Sequence, residues 1–403
     1  MVSTRHDVVI VGGGLVGTSL AIALDRSGID VALVEATAPG ALPAVFDQRN
    51  LSFAEATVNA LTALGVLQKL AGPVAPIRQI HVSRAGDFGR VRLDAGAYGR
   101  AAFGQVVVAR DFGQALEARL AETTHVTRYR PSRFIGADAG DDARRDIRIH
   151  DGDGERTLTA RLLVGADGTR SGVRQALGID ANEHDYAQTL FVARVGAERA
   201  PDGTAYERFG DDGPTALLPR GDRHFGVVHG VSDSVADEVQ GMDAPAFLAR
   251  LQRAFGWRVG RLLTVGERSR YAATGLLARA LVAQRAVLVG NAAQTLHPIG
   301  AQGFNLGLRD ALTLAELIGD AEDPGADALL AAYARRRRDD RERTVAFSDG
   351  LARLTSNPGG MLRPLRSLGL FAADRIPAVQ GWLVGGAMGY RGEVPLLCRS
   401  TTR

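Results

Sequence analysis

The chain has 403 residues, 45% hydrophobic and 23% charged, a balance that supports a sizeable core without disulfide or metal staples. Its single cysteine, Cys398, excludes an intrachain disulfide and a cysteine-based metal cluster, and its eight histidines show no metal-ligand spacing. A formal charge of +3 is too weak over this length to argue for nucleic acid, and no helix-turn-helix, zinc-finger or RNA-binding signature accompanies it. Lys69 is the only lysine, which reads as base-composition bias. No secretory apolar segment precedes the first strand and no run of 18 apolar residues occurs, so neither a signal peptide nor a transmembrane helix is expected.

Asp7 to Glu35 reads as strand, glycine turn, helix, strand. Val8 to Val11 form the continuous apolar run of a strand buried on both faces. Gly12-Gly13-Gly14-Leu15-Val16-Gly17 then fits G-x-G-x-x-G. Gly12 makes the tight turn, Gly14 lets backbone approach a pyrophosphate, and Gly17 lets the helix pack closely on the strand. Leu15 to Ser27 forms that helix, closed by Gly28, and its free N–H groups and dipole face the phosphates. Val31 to Val34 is the second strand. Glu35, roughly 20 residues past Gly14, is placed to accept hydrogen bonds from an adenosine ribose. An acid there disfavours a 2′-phosphate, so the nucleotide is FAD or NAD.

Farther along, Gln79 to Ser83, Leu190 to Val195, Ala216 to Pro219 and Phe225 to Val228 read as strands. Arg110 precedes Asp111 and Gln114, which fit an N-cap and its capping-box partner. Leu162 to Val164 is a second buried strand running into the Asp167-Gly168 turn, after which Ser171 opens a short helix carrying Arg174. Helical stretches follow Asp233 and Asp243. Ala286 to Val289 is a third buried strand, ending in Gly290-Asn291. From Pro298 to Asn305, the small residues Gly300, Ala301 and Gly303 let backbone approach a flat ring. Gly303 to Ile318 follows as a helix, with Leu306, Leu314 and Leu317 apolar and Asp310 exposed or capping locally. Its N-terminus favours negative charge on such a ring by roughly 0.3–1 kcal/mol, up to about 2 when partly buried.

Arg335 to Arg343 is a charge run. It reads as a solvated helix face with pairs such as Arg335–Asp339 and Arg336–Asp340, or as a contact for anionic lipid. Met361, Leu362, Leu365, Leu368 and Ala372 fall at helical spacing beside Arg363 and Arg366, and Ala378 to Tyr390 is uncharged and contains Trp382. This stretch reads either as core packing or as a surface that docks on a membrane.

Three motifs, Gly12 to Gly17, Leu162 to Gly168 and Gly290 to Asp310, together resemble the group A flavoprotein monooxygenases, which share the para-hydroxybenzoate hydroxylase fold. Asn291 to His297 (NAAQTLH) and Gly303 to Asp310 (GFNLGLRD) look like the signature of the ubiquinone-biosynthesis hydroxylases. Val34 to Pro39 (VEATAP), Gly104 to Val107 (GQVV), Tyr206 to Phe209 (YERF) and Phe255 to Arg258 (FGWR) look like the 2-polyprenyl-6-methoxyphenol hydroxylase branch. Two departures stand out. The family has Ala-Gly where this chain has Gly300-Ala301, and alanine takes positive φ less cheaply than glycine. The wider superfamily has Gly-Asp where this chain has Gly290-Asn291, and Asn can still hydrogen-bond a ribityl hydroxyl.

The resemblance implies an α/β fold. An FAD-binding Rossmann-like domain of GR2 type would occupy residues 1–75, 98–180 and 271–330. An inserted β-sheet substrate domain would occupy 76–97 and 181–270, and a helical C-terminal region 331–403. It implies FAD contacts at Gly12, Gly14, Gly17, Glu35, Arg49, Arg110, Asp167, Gly168, Asn291, Gln302, Gly303, Phe304 and Asn305. It further implies that NAD(P)H reduces FAD, that O₂ adds to the ring, and that the hydroperoxide delivers an electrophilic oxygen to an electron-rich phenol. His297 and Pro298 lie beside the flavin, with no catalytic side chain assigned. Tyr206, Phe209 and Leu217 are pocket candidates. The implied substrate is a polyprenylated phenol of ubiquinone synthesis. The implied surroundings are a ubiquinone-biosynthesis protein complex and the cytoplasmic face of the inner membrane. The alternatives are a hydroxylase of a small soluble aromatic, or a low-turnover FAD-binding scaffold subunit of a membrane-associated assembly.

Overall fold

The computed structural model describes residues 4–399 apart from 45–46, 139–140, 142, 298 and 357–362, and omits the side chains of 351–356 and 363–366. The first sheet has a parallel centre. Ala286–Leu288, Gly154–Gly165, Arg5–Val11, Val31–Val34 and Val126–Tyr129 lie side by side in that order. Val8, Val9, Ile10, Leu162, Leu163 and Val164 are fully buried, as strands covered on both faces must be. The helix Leu15–Asp25 packs beside Gly303–Gly319. Gly28, at φ +71°, follows the first of these.

The second sheet is almost wholly antiparallel. It runs Gln294–Thr295, Ser269–Ala278, Ala181–Ala197, Phe225–Ser232, Pro214–Pro219, Thr204–Phe209, Gln79–Arg84, Arg90–Asp94. Only Thr204–Phe209 and Gln79–Arg84 pair in parallel. Helices Asp233–Gly241 and Ala244–Phe255 cover one face, burying Phe247, Leu251 and Phe255 against Phe191, Leu217 and Val227. The Asp243 side chain caps the second of these by accepting from the Ala246 amide at 2.8 Å. A small third sheet, Asn50–Ala54 with Gly104–Val108 and Ala75–Pro76, lies among these parts.

Three local readings need correction. The helix expected to be capped by Asp111 starts at Ala109, inside the preceding strand's apolar run, so Asp111 sits in its first turn. Asp310 is neither exposed nor a local cap: it is 1% exposed and accepts from Arg337 at 2.7 Å and from Gln294 at 2.5 Å. The charge run is not a uniformly solvated face either. Arg337, Asp340 and Thr344 share one side of the helix Asp327–Ser356 and are buried beside Gly303–Gly319. Arg336 bonds Glu316 at 2.9 Å rather than Asp340. The spacing i, i+3, i+7 puts these three polar side chains on a buried stripe, where they are mutually bonded as buried charges must be. Among the described residues, no helix is long and apolar enough to cross a membrane.

Candidate active site

A cavity of about 970 Å³ opens where the two sheets meet. Its nucleotide end lies at the carboxyl ends of the parallel strands, where open α/β sheets take their ligands. Gly12, Glu35, Ala166, Asp167 and Asn291 each follow one of those strands and line it. Gly12 has φ +110°, and a Cβ there would stand 2.4 Å from the Ala166 carbonyl oxygen. A Cβ on Gly17 would stand 1.9 Å from the Gly12 carbonyl oxygen. Only glycine permits this turn and this helix approach.

The helix beginning after Gly14 has no acidic residue in its first turn and no side-chain cap. Its N–H groups and positive dipole end are therefore free for an anion such as a pyrophosphate. Glu35 is held in place: its carboxylate accepts from the amides of Gly13 at 2.8 Å and Thr37 at 2.7 Å. Asp167 likewise serves the local fold, accepting from the Ser171 hydroxyl at 2.5 Å and the Val173 amide at 3.1 Å. Both carboxylates still line the cavity, and each oxygen keeps capacity for a ligand hydroxyl. Gly168, at φ +83°, turns the chain beside them.

Arg49 lines the cavity, stacked 4.3 Å over the Tyr271 ring and bonded to Asp47 at 2.8 Å. The Tyr271 hydroxyl also donates to Asp47. Arg49 thus arrives as a pre-positioned fork. Arg110 is exposed near the start of its helix, outside the cavity wall; its amide donates to the Asp47 carbonyl at 2.9 Å.

The segment from His297 to Asn305 closes another side. Gly300 has φ +71° and Ala301 φ +50°, so the transposed alanine does occupy the left-handed region. Gln302 and Gly303 then open the helix Gly303–Gly319, whose first turn again carries no acid. Phe304 packs against Phe53 and Phe112, each 5.4 Å away. Asn305 is 2% exposed and fully engaged. It accepts from the Ala54 amide at 2.9 Å and the Thr57 hydroxyl at 2.8 Å, and donates to the carbonyls of Ser52 and Ala301, both at 2.9 Å. It clasps the loop to the third sheet. His297 is buried; its Nδ1 accepts from the Ile299 amide at 3.3 Å. Burial holds its pKa down at about 4, against the pull of Asp349. It is a neutral ring fixing the loop. Pro298 lies outside the described residues.

The substrate end is walled by the second sheet. Ile80, Leu190, Ala205, Ala216, Leu218 and Val228 face the cavity. Of the three pocket candidates, Tyr206 alone is in the lining. Leu217 is fully buried in the core under the helices, and its cross-strand partner Tyr206 turns its ring the same way, 5.5 Å from Phe255. Tyr206 borders the cavity without pointing its ring into it. Phe209 packs behind Ile299. For Tyr206 and Leu217 the reason is strand alternation: the face carrying Ala205 and Glu207 looks inward, and these two look out; Phe209 shares the inward face but packs against Ile299. Glu207 is the residue sequence reasoning missed. It lines the cavity and accepts a hydrogen bond from the Gly300 amide. Burial raises its carboxyl to about 7, that amide opposing the shift only in part.

A family model described as FAD binding domain matches residues 5–348. Ubiquinone hydroxylase UbiL of Rhodospirillum rubrum is 37% identical over 393 residues, covering 95% of this chain and 89% of that protein. The chain belongs to the ubiquinone-biosynthesis hydroxylases, a family of FAD-dependent monooxygenases. Another relative of the hydroxylase, 3-demethoxyubiquinol 3-hydroxylase of Escherichia coli K12, is 30% identical, covering 96% of this chain and all of that protein. The fold of the hydroxylase matches p-nitrophenol 4-monooxygenase PnpA of Pseudomonas putida at a TM-score of 0.77 and 19% identity, covering 96% of this chain and 99% of that one. Its cofactor is FAD, with NAD(P)H and O₂ as co-substrates, and FAD supplies the oxygen-transfer chemistry that side chains lack. The residues present fit that group: uncapped helix N-termini, close backbone approaches and two hydroxyl-accepting carboxylates surround one volume.

Proposed function

We propose that this monooxygenase hydroxylates the ring of a polyprenylated phenol in ubiquinone biosynthesis. The observation that carries the reading is the second-sheet wall of the cavity. Apart from Tyr206, Glu207 and Thr295 it is aliphatic, and among the described residues its strands bring no basic side chain to the lining. A carboxylated small aromatic would require a cation there to offset burial of its charge. A neutral phenol with an isoprenoid tail requires aliphatic surface and gains by covering it. The residue spans 76–97 and 181–270 serve as the substrate-binding unit in this reading. Residues Gly12, Gly14, Gly17, Glu35, Arg49, Asp167, Gly168, Asn291 and Gln302 to Asn305 hold FAD, and Arg110 supports it from the helix start.

The same reading places the C-terminal helices on lipid at the cytoplasmic face of the inner membrane. Leu368 and Phe371 on Arg363–Arg375, Trp382 on Pro377–Ala387 and Ile376 between the two helices are about half exposed. The second helix ends at Ala387, which lines the cavity. An apolar surface thus leads toward the substrate site, and Arg375 beside it suits an anionic headgroup. A ubiquinone-biosynthesis protein complex would meet the enzyme on that surface.

The test is mass spectrometry of quinone-pathway lipids from a host lacking this gene. A prenylated phenol short of one ring oxygen should accumulate, cleared by the intact gene but not by Gly14→Glu. Unchanged ubiquinone with no such intermediate would defeat the assignment. Co-sedimentation with anionic vesicles should fall for Phe371→Ser combined with Trp382→Ser.

A further inference from the structure

We propose that Glu207 is the general base of the hydroxylation, accepting the phenolic proton of the substrate as oxygen is transferred to the ring. The inference deepens the proposed function and rests on its choice of a phenol as substrate.

Glu207 lies on the inward face of Thr204–Phe209, at the junction of two otherwise distinct surfaces. On one side is the aliphatic wall of the second sheet. On the other is the turn Ile299–Ala301, whose Gly300 amide donates to the carboxylate. The carboxylate is therefore anchored between the substrate wall and the loop that the family fold places at the flavin. A base must hold a fixed position within hydrogen-bond reach of the proton it takes, and the Gly300 amide provides that fixation.

Among the described residues, no charged group compensates it. Its cross-strand neighbours are Val82 and Ala216. Tyr186, behind the turn, donates its hydroxyl to Asp349 instead. His297, on the adjoining segment, is held neutral by burial. A structural carboxylate in a buried strand is ordinarily paired with a cation. Glu207 has none and is pushed toward neutrality by its surroundings, the condition in which a carboxylate both accepts and returns a proton near neutral pH. Among the described residues the rest of the second-sheet wall offers no other base: Tyr206 turns its ring away, the Thr295 hydroxyl is bonded to Thr169 at 2.9 Å and is too weakly basic to take a phenolic proton, and the remaining lining side chains from those strands are apolar.

The proton and electron balance is complete. NAD(P)H and a solvent proton supply two electrons and two protons to O₂. One oxygen atom forms the new carbon–oxygen bond and the other leaves as water. As that bond forms, the phenolic O–H bond breaks, its proton passes to Glu207, and the ring becomes a ketone. Loss of the ring C–H proton to solvent and return of the proton from Glu207 to the oxygen restore the aromatic product. Removing the phenolic proton raises electron density at the ring positions ortho and para to the oxygen, which an electrophilic oxygen requires.

The test uses FAD-loaded enzyme and a short-chain prenylated phenol. Ultraviolet difference spectra of the bound phenol report its ionisation without turnover. In the wild type, phenolate character should rise as pH passes through neutrality, and kcat should rise along the same limb. Glu207→Gln keeps an acceptor for Gly300 and should keep its flavin. It should lose both the spectral titration and the kcat limb, with kcat lowered on the order of 10²- to 10⁴-fold. Glu207→Asp should recover part of both. A Gln variant with full flavin and an unchanged ionisation profile overturns the assignment. Wild-type enzyme that ionises the bound phenol yet never yields a hydroxylated product instead overturns the functional reading, and leaves Glu207 supported as the group that takes the proton.

Discussion

Arg309 and Asp340 form a bidentate pair, at 2.7 and 3.0 Å, with both side chains essentially inaccessible. Arg309 lies on the helix that begins at the cavity, and Asp340 on the long helix behind it. Arg337 joins the pair to Asp310, bonding each carboxylate at 2.7 Å. The network ties the cavity-facing helix to the rest of the molecule by charge.

Asp340→Ala leaves two buried guanidinium groups short of a partner. It should destabilise the protein by about 3–5 kcal/mol, read from urea unfolding. Burial pushes the Asp340 carboxyl up, but Arg309 and Arg337 overcome that and hold it at about 2. Its folded pKa is thus below the unfolded value of 3.8. The contribution is present above that value and is lost as pH falls through about 2. A loss of under about 1 kcal/mol on substitution would show the network to be dispensable.

His297 should make the enzyme sensitive to mild acid. Its folded pKa of about 4 is below the ordinary 6.5, so stability is complete above 6.5 and declines as pH falls toward 4. The decline attributable to this ring is up to about 3 kcal/mol. His229, lowered by burial and by Arg250 to about 3, adds to it. Thermal unfolding across that pH interval should be flatter for His297→Gln than for wild type; parallel curves would remove His297 from the account.

Gly17→Ala should lose flavin. The added carbon falls 1.9 Å from a backbone oxygen of the phosphate-binding turn, where nothing flexible can yield. We expect FAD affinity to fall at least about 100-fold, or about 2.7 kcal/mol, by fluorescence titration. Gly241→Ala, where the same carbon meets nothing within 4 Å, should remain yellow. Equal flavin content in both would mean the turn does not carry the pyrophosphate.

Ala301→Gly should stabilise the loop. Alanine at φ +50° carries roughly 1–2 kcal/mol of steric cost, offset in part by the extra unfolded-state freedom of glycine. A net gain of about 0.5–1 kcal/mol is expected in thermal unfolding of the flavin-loaded enzyme. A lowered midpoint would show that the surrounding contacts prefer the methyl group.

The nucleotide half of the site was legible because its signals are local. A strand, its turn and the following helix lie within Asp7 to Gly28, and the glycines are demanded by backbone alone. The substrate half was not. In Tyr206 to Phe209 the aromatics attract notice, yet only knowledge of what covers each sheet face reveals that Glu207 looks inward. The charge run misled for a related reason. Composition marks it as solvated, whereas partners far away in sequence, Arg309 and Asp310, decide that Arg337 and Asp340 are buried. Asn305 belongs between these cases: its position beside the flavin loop was readable, but its four hydrogen bonds to residues near Ala54 and Ala301 were not.

The cavity wall draws on residues from Val11 to Ala387. A ribosome delivers the second of these ends long after the first. The dinucleotide turn emerges first, and the loop before Gly303 and the helix Pro377–Ala387 can reach it only later. Cofactor capture in a completed cavity therefore waits for both, and the apolar part of the lining stays uncovered until then. Flavin supply during expression should consequently govern the yield of intact protein as well as its colour, because the ligand seals a seam to which segments far apart in the chain contribute.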